Sequence, residues 1–552
     1  MNPAKNSKAG KNIGPKAKIS DPASLGSTKP RQARPGRANG LNRREFIKAM
    51  GPSAAGLVLA GLGATSLLPS GCTGTLKPST GRPTAKKPNI IFIMADDMGY
   101  GDLGCYNKNS KIPTPNADRL ARQGMRFTDA HSPSAVCTPT RYGVLTGRYS
   151  WRTRLKKGVL NGYSPCLIDT SRMTVASFLK QHGYATACIG KWHLGLGSDK
   201  KTDYNKPLVP GPNVLGFDYF YGIPASLDMT PYCYIENDRP VAKPTLTIEA
   251  GKASEDGWWR AGAIAPGFKH VEVLPKLTEK AVEYIDNHAE KSPDKPFFMY
   301  FPLPAPHCPI APADFVKGRS QAGGYGDFVV EVDWTVGEVT KALARNRLTD
   351  NTLIILTSDN GSPGRTKINR AHYSIIELYG HYPSGDLRGI KADIWDGGHR
   401  EPFIARWPGK IPPASTSDEL ICLTDLLATC AAVLGVELPD NAGEDSYNIL
   451  PALLGRKPGK PIRQAVVHHS SMGMFSIRQG QWKLILGRGS GGFSSPKNYK
   501  PKPGEPTGQL YNLQDDLAET NNLWHKHPEI VKRLTDLLEK YKRQGHSRTQ
   551  SL

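Results

Sequence analysis

Seven side chains able to ligate a metal, carry charge or move a proton stand just beyond four short apolar runs of this chain. Asp96 and Asp97 follow Asn89–Ala95, and Asp359 and Asn360 follow Thr352–Thr357. Lys191 and His193 come after 184–189, and His307 after 296–301. One Asp after a strand is usually a turn or a helix cap, so the recurrence matters more than any single residue. Three carboxylates brought together raise one another's pKa unless a cation neutralises them. With Asn360 they offer only hard oxygen ligands, which favours Ca2+ or Mg2+ over zinc. His193 and His307 are then left for proton transfer. A divalent cation beside Lys191 would suit a tetrahedral anion whose ester oxygen gains charge as it leaves. The missing part is a nucleophile, and Cys137-Thr138-Pro139-Thr140-Arg141 offers one. Pro139 suits the first turn of a helix and Thr138 can cap it, which would put Cys137 at a helix N-terminus. On chemistry alone the thiol is either an activated thiolate or a buried structural cysteine.

The elements that must gather these residues are legible in the pattern of apolar runs. From Lys87 onward such runs alternate with helical periodicity, as in a mainly parallel sheet with helices on both faces. In open α/β sheets the ligand crevice lies beyond the carboxyl ends of the strands, so the four run ends should converge there. The expected fold is α/β: a large mixed, mainly parallel sheet sandwiched by helices, plus a smaller C-terminal antiparallel sheet with a packed helix. Leu423–Leu434 reads as a helix stopped by Gly435. The Pro/Gly/Lys-rich stretch 455–461 marks a boundary between a catalytic domain, 87–455, and a C-terminal subdomain, 456–552. Strand-like runs follow at 465–469, 475–478, 482–486 and 510–513. A last helix, about 528–544, carries Ile530, Leu534, Leu537, Leu538 and Tyr541 on one stripe.

The segment Cys137-Thr138-Pro139-Thr140-Arg141-Tyr142-Gly143-Val144-Leu145-Thr146-Gly147-Arg148 closely resembles the signature of type I sulfatases, members of the alkaline phosphatase superfamily. The resemblance runs from about Asn89 to the C-terminus. It includes Gly190-Lys191-Trp192-His193-Leu194-Gly195, Ala305-Pro306-His307, Thr357-Ser358-Asp359-Asn360-Gly361 and Leu387-Arg388-Gly389-Ile390-Lys391. It implies that Cys137 is oxidised to formylglycine (3-oxoalanine) by a maturation enzyme, and that the hydrated aldehyde attacks sulfur. It implies that Asp96, Asp97, Asp359 and Asn360 hold one Ca2+, with Mg2+ the less favoured ion, and that the cation also contacts residue 137. Arg141 would steady the hydrated aldehyde, while Lys191 and Lys391 neutralise the sulfate. His307 would protonate the leaving alcohol, and His193 would help take a proton from residue 137 so that sulfate is expelled. One departure is Asp396-Gly397-Gly398, where many members carry Glu-Gly-Gly. Two rivals remain: a phosphate or phosphonate ester hydrolase of the same superfamily, and a catalytically silent protein that binds sulfated glycans. The silent protein should have lost Cys137, Arg141, His193 or His307, and all four are present.

Of the formal charge of +23, residues 1–48 contribute +10, with twelve Lys or Arg against Asp21 and Glu45. Residues 1–40 read as a disordered basic tail without the interleaved aromatics of a nucleic-acid binder. Residues 41–72 read as a twin-arginine signal: Arg43-Arg44 precede an uncharged Gly/Ala/Ser-rich stretch too weakly apolar to span a membrane. Cys72 is a candidate lipid-anchoring site, and 73–86 is a linker. These readings predict export by the twin-arginine machinery to the periplasm or cell surface of a bacterium. The nine cysteines have no metal-type spacing and name no disulfide pairs. The remaining positive charge favours a polyanion by long-range steering, so a sulfated oligo- or polysaccharide is the expected substrate. Residues that could choose the leaving group are Asp256-Gly257-Trp258-Trp259-Arg260, His381, His399, His468-His469 and the polar loop 487–508.

Overall fold

Asn89–Ala95 is buried at every position and forms β1 at the centre of the main sheet. An unbroken apolar run of this kind needs cover on both faces, as a central parallel strand has. The computed structural model describes residues 86–251, 258–368, 371–457 and 459–549. The basic tail, the twin-arginine segment with Cys72, residues 73–85 of the linker, and Asp256-Gly257 lie outside the described residues.

The further strands of the sheet are β2 (Met125–Phe127), β3 (Ala185–Lys191), β4 (Tyr219–Ile223), β5 (Ile235–Glu236) and β6 (Arg239–Pro240). They continue with β7 (Phe297–Pro302), β8 (Thr352–Ser358), β9 (Phe403–Arg406) and β10 (Ser415–Ser417). Their order across this ten-stranded sheet is β10-β2-β9-β8-β1-β7-β3-β4-β5-β6. The central stretch from β8 through β1, β7 and β3 to β4 is parallel. Antiparallel pairings of β8 with β9, β9 with β2, and β4 with β5 make the sheet mixed. The register matters for the site. Ala95 lies opposite Ser358, so the residues that follow each strand emerge side by side.

Helices pack in two groups. One joins α1 (Pro115–Arg122), α4 (Val273–Lys291) and α5 (Gly323–Arg345). The other joins α2 (Cys137–Thr146), α3 (Val175–Gln181) and α6 (Leu426–Leu434). All ten residues of α2 are buried, and Gly147 closes the helix at φ 63°, a conformation that favours glycine. A Cβ added to Gly143 would lie 2.9 Å from Pro133 and 3.2 Å from Thr424, so this helix is packed tightly on both flanks.

The C-terminal part forms a four-stranded antiparallel sheet of β11 (Val466–His469), β12 (Phe475–Gln479), β13 (Trp482–Ile485) and β14 (Gln509–Asn512). Helix α7 (Pro528–Gln544) covers it, burying Leu534, Leu538 and Tyr541, with Ile530 and Leu537 packed beside them. Tyr149 and Trp151, just beyond α2, belong to the same apolar cluster. Among the described residues no helix is long and apolar enough to cross a membrane. The eight described cysteines are free thiols.

Candidate active site

The four strand ends converge as expected. Asp96 and Asp97 leave β1, Asp359 and Asn360 leave β8, Lys191 ends β3, and His307 follows β7. Backbone ties hold the ends together: the Asp359 amide donates to Ala95 O at 3.0 Å, and the Asp97 amide to Asp359 Oδ1 at 3.2 Å. Arg141, one turn into α2, reaches across to this cluster. Its Nε and Nη2 donate to Asp359 Oδ2 at 3.1 and 2.6 Å, and its Nη1 to Lys191 O at 2.9 Å. Lys191 Nζ lies 2.5 Å from Asp96 Oδ2, and Lys391 Nζ 2.7 Å from the Asp97 carboxylate. Every ligand candidate is buried, so these contacts act with little solvent screening.

The electrostatics follow from that burial. Desolvation works against ionised Asp96, but Lys191, His307, Arg141 and Lys391 outweigh it and hold the carboxyl well below the usual carboxylate range. Burial and the neighbouring Asp96 charge push Asp359 the other way, up to about 7, against Arg141 and Lys191. Burial disfavours charged Lys391, yet Asp97 and its neighbours raise its pKa above the ordinary lysine value. The Cys137 thiol is also pushed up, chiefly by burial, although Lys191 and Lys391 oppose this. Burial thus favours the neutral thiol over a thiolate at this position. Cys137 is the first residue of α2, with Val136 as its N-cap and no side-chain cap bond. This corrects the expectation that Thr138 caps the helix. Thr138 Oγ1 instead accepts from the Leu160 amide at 3.2 Å, because position 138 already lies inside the helix.

In each of the two histidines a backbone carbonyl, which can only accept, fixes one ring nitrogen as a donor. His193 Nε2 donates to Leu160 O at 2.8 Å, leaving Nδ1 as an acceptor 3.5 Å from Ser226 Oγ. Burial, then Lys191 and Arg141, keep this ring neutral to well below its usual pKa. His307 Nδ1 donates to Cys308 O at 2.6 Å, and its Nε2 lies 3.7 Å from Asp97 Oδ2.

A divalent cation fits this donor set. Asp96 Oδ1 and Asn360 Oδ1 are buried and accept no hydrogen bond, a costly state unless something else satisfies them. Asn360 spends its amide Nδ2 on Asp97 at 2.6 Å, which leaves its oxygen for a ligand. Donor atoms of Asp96, Cys137 and Asp359 lie within 4.8 Å of one another, as do those of Asp96, Asp97 and His307.

Above the cluster opens a cavity of about 470 Å3. Asp97, Cys137, His307 and Lys391 form its floor, and Trp258, Arg260, Arg365 and Phe493 are among its walls. Arg141, Lys191, His193, Asp96, Asp359 and Asn360 lie buried behind that floor. The sequence reading missed Ser226 and Asp228, both on this cavity. Asp228 pairs with Arg260, and its Oδ1, 3.9 Å from His307 Nδ1, accepts no hydrogen bond. They follow β4, so the strand-end argument would have found them had Tyr219–Ile223 been read as a strand.

Several leaving-group candidates lie elsewhere. His381 is buried on Asp102 at 2.7 Å, and Asp102 also takes the Tyr325 hydroxyl at 2.5 Å. His399 and His468 stack at 3.8 Å, with His131 Nδ1 3.1 Å from His399 Nδ1 in the same buried group. His469 is buried against Ser134. Asp396 is buried on Lys483 at 2.7 Å, so its shorter side chain is matched to an ion pair and does not face the cavity. Of the paired tryptophans only Trp258 lines the cavity. Trp259 stacks on His270 at 5.0 Å and donates to Glu249 O. The polar loop 487–508 does edge the site, through Phe493.

A family model described as sulfatase matches residues 88–436. An N-acetylgalactosamine-6-O-sulfatase of Bacteroides thetaiotaomicron is 36% identical over 507 residues, covering 86% of this chain and 96% of that protein. Human arylsulfatase A is 36% identical over 420 residues, covering 73% of this chain and 76% of that protein. A solved structure from work on the metabolism of multiple glycosaminoglycans by Bacteroides thetaiotaomicron superposes with a TM-score of 0.74 at 35% identity. It covers 83% of this chain and 100% of that one.

Proposed function

We propose that this chain, which belongs to the sulfatase family, removes the 6-O-sulfate from an N-acetylated galactosamine residue of a sulfated glycan, using an aldehyde made from Cys137. The chain is a hydrolase of sulfate esters, and its substrate is a sulfated carbohydrate. The observation that carries the mechanism is the shared cavity floor of Cys137, Lys391, His307 and Asp97, backed by buried Lys191, Arg141 and three further oxygen-bearing side chains. The choice of sugar and position is supported by the named relative, nearly all of which is matched by this chain.

Each residue has work that its geometry suits. Asp96, Asp97, Asp359, Asn360 and position 137 would hold the divalent cation, with Ca2+ as the ion proposed. When bound, that ion supplies a Lewis-acid contact for a sulfate oxygen. Once oxidised and hydrated, position 137 would supply one hydroxyl to displace the ester oxygen from sulfur and a second whose deprotonation would re-form the C=O bond as the C–O bond to sulfate breaks. Lys191 and Lys391 neutralise the sulfate oxygens, and the Lys391 ammonium lies at the cavity surface. Arg141 locks Asp359 and the Lys191 carbonyl to α2, which fixes position 137 relative to the cation ligands. His307, its Nδ1–H anchored on Cys308 O, would donate the Nε2 proton of its imidazolium form to the departing alcohol. His193 keeps its proton on Leu160 and offers a neutral Nδ1 as the acceptor for a proton from residue 137. The proposal includes a maturation enzyme that oxidises Cys137. It also includes export to the periplasm or cell surface by the twin-arginine route, with Cys72 as an optional lipid anchor.

The test combines mass and turnover. Protein made with a maturation enzyme should yield a tryptic peptide around position 137 lighter by the change from CH2SH to CHO. It should release sulfate from N-acetylgalactosamine 6-sulfate faster than from the 4-sulfate, and faster than phosphate from a matched phenyl ester. An aldehyde with preference for the phosphate ester would favour the phosphohydrolase rival. An unmodified thiol with no sulfate released from any ester would favour the silent glycan-binding protein.

A further inference from the structure

A second depression, of about 480 Å3, adjoins the catalytic cavity and shares Pro363 and Arg365 with it as a common wall. The loop 487–508 spans both, with Phe493 on the first and Ser494 on the second. The Arg365 guanidinium lies over the Phe493 ring, 4.8 Å from its centroid, and forms the saddle between them. Beyond the saddle Tyr382 is 53% exposed, and Ser384, Leu387 and Ile390 complete a floor with apolar faces and hydroxyls. Among the described residues Arg365 is the one charged side chain lining this depression.

The Tyr382 loop is tied to the catalytic elements. Gly101, just past the paired aspartates, donates to Pro383 O at 2.6 Å. A Cβ at Gly99 would lie 2.2 Å from Pro383 O, and one at Gly101 2.4 Å from Tyr382 O, so the two loops pack backbone to backbone. Ser384 Oγ donates to Gly389 O at 3.0 Å, two residues before Lys391, and Lys391 N donates to Ser362 O at 2.7 Å. The depression is therefore fixed in position relative to Asp97 and Lys391. An aromatic face, scattered hydroxyls and one cation suit a sugar ring with an acidic substituent, and the volume is on the scale of small-molecule sites.

We propose that this depression is a saccharide subsite that takes the ring next to the sulfated residue, with Tyr382 as its stacking face and Arg365 as the receptor for a carboxylate or sulfate on that ring. The proposal rests on the sulfatase reading and deepens it: the substrate is an anionic oligosaccharide and not an isolated sulfated sugar. The test compares kcat/KM on three substrates: a sulfated monosaccharide, the same sugar joined to a neutral ring, and the same sugar joined to a uronate. The matured wild-type enzyme should prefer the uronate disaccharide over the monosaccharide by about tenfold or more, as stacking plus one charge contact would give. Tyr382→Ala should lower kcat/KM about fivefold to tenfold for both disaccharides, an aromatic contact's worth, and leave the monosaccharide unchanged. Arg365→Gln should abolish the preference for the uronate over the neutral disaccharide. Equal wild-type rates on all three substrates, or a Tyr382→Ala loss equal on all three, would overturn the subsite and leave the sulfatase reading intact. A wild-type enzyme that released no sulfate from any of them would overturn the sulfatase reading, and the subsite with it.

Discussion

Arg141→Met tests whether the α2 arginine and Asp359 form the electrostatic joint that holds position 137 to the cation ligands. Both partners are fully buried, and the guanidinium makes two bonds to Asp359 Oδ2 and one to Lys191 O. Methionine fills similar volume but leaves a carboxylate oxygen and a carbonyl without those donors. Breaking a buried pair from one side costs about 3–5 kcal/mol, because the surviving charge is stranded. Asp359→Asn strands the arginine and should cost a comparable amount. The double variant Arg141→Met/Asp359→Asn strands neither charge, so its loss should fall about 2 kcal/mol or more short of the sum of the singles, within the usual range for contacting residues. The assay is urea unfolding with EDTA at pH 8, above the value of about 7 to which burial and Asp96 push Asp359, so that the carboxylate is ionised. Additive losses, or a cost below about 1 kcal/mol for Arg141→Met alone, would refute the joint.

Three further outcomes are expected. His307→Asn should slow release of a sugar alcohol by about 10²–10⁴-fold, the usual worth of a general acid, and nitrophenyl sulfate far less; equal losses on both would remove the acid role. Lys391→Ala should lower kcat by about 10²–10³-fold, as loss of one preorganised charge contact does, with near-native circular dichroism confirming the fold. His468 is buried with Nε2 unpartnered, and burial, then His399, His131 and Lys483, hold its pKa well below the usual 6.5. The unfolded chain takes up that proton below pH 6.5 and the folded chain does not. This site therefore costs about 2 kcal/mol of stability by pH 5 and nothing well above pH 6.5. His468→Gln should lose stability less steeply than wild type between pH 7 and 5 in denaturant melts, and identical slopes would remove the histidine from the account.

The central strands and the convergence of their ends were legible because parallel strands buried on both faces leave unbroken apolar runs, and the polar residues after them stand out. The terminal helix was equally legible: its stripe from Ile530 to Tyr541 follows one face of α7. The short edge strands of the sheet were not. Ile235–Glu236 and Arg239–Pro240 have two residues each, too few for any period; the first pairs with β4 and the second with the first. Of the ten metal-binding and catalytic candidates, seven follow or end strands of the sheet, while Cys137 and Arg141 come from α2 and Lys391 from a loop. The specificity candidates fared worse. His381, His399 and His468 looked available in sequence, but each is buried among partners far away along the chain, such as Asp102 and His131. Nothing in their local spacing announces Asp102 or His131 as neighbours. Asp228 was overlooked because Tyr219–Ile223 was not read as a strand, and Arg365 because it matters through the cavity it lines, which exists only once the Phe493 loop and α2 are assembled.

Cys137 is 2% exposed, at the start of a helix buried along its whole length, between the Pro133 loop and Thr424. An enzyme that oxidises position 137, as proposed above, would meet a sulfur with almost no exposed surface once α2 is packed, although the residue borders the cavity. On the proposed mechanism the oxidation belongs to the newborn chain and races against closure of the fold. A molecule that folded first would stay unmodified, and each preparation would then carry a ratio of competent to inert copies set at synthesis. Adding maturation enzyme to the purified protein should rescue none of the inert fraction. Unfolding that fraction, treating it and refolding it should.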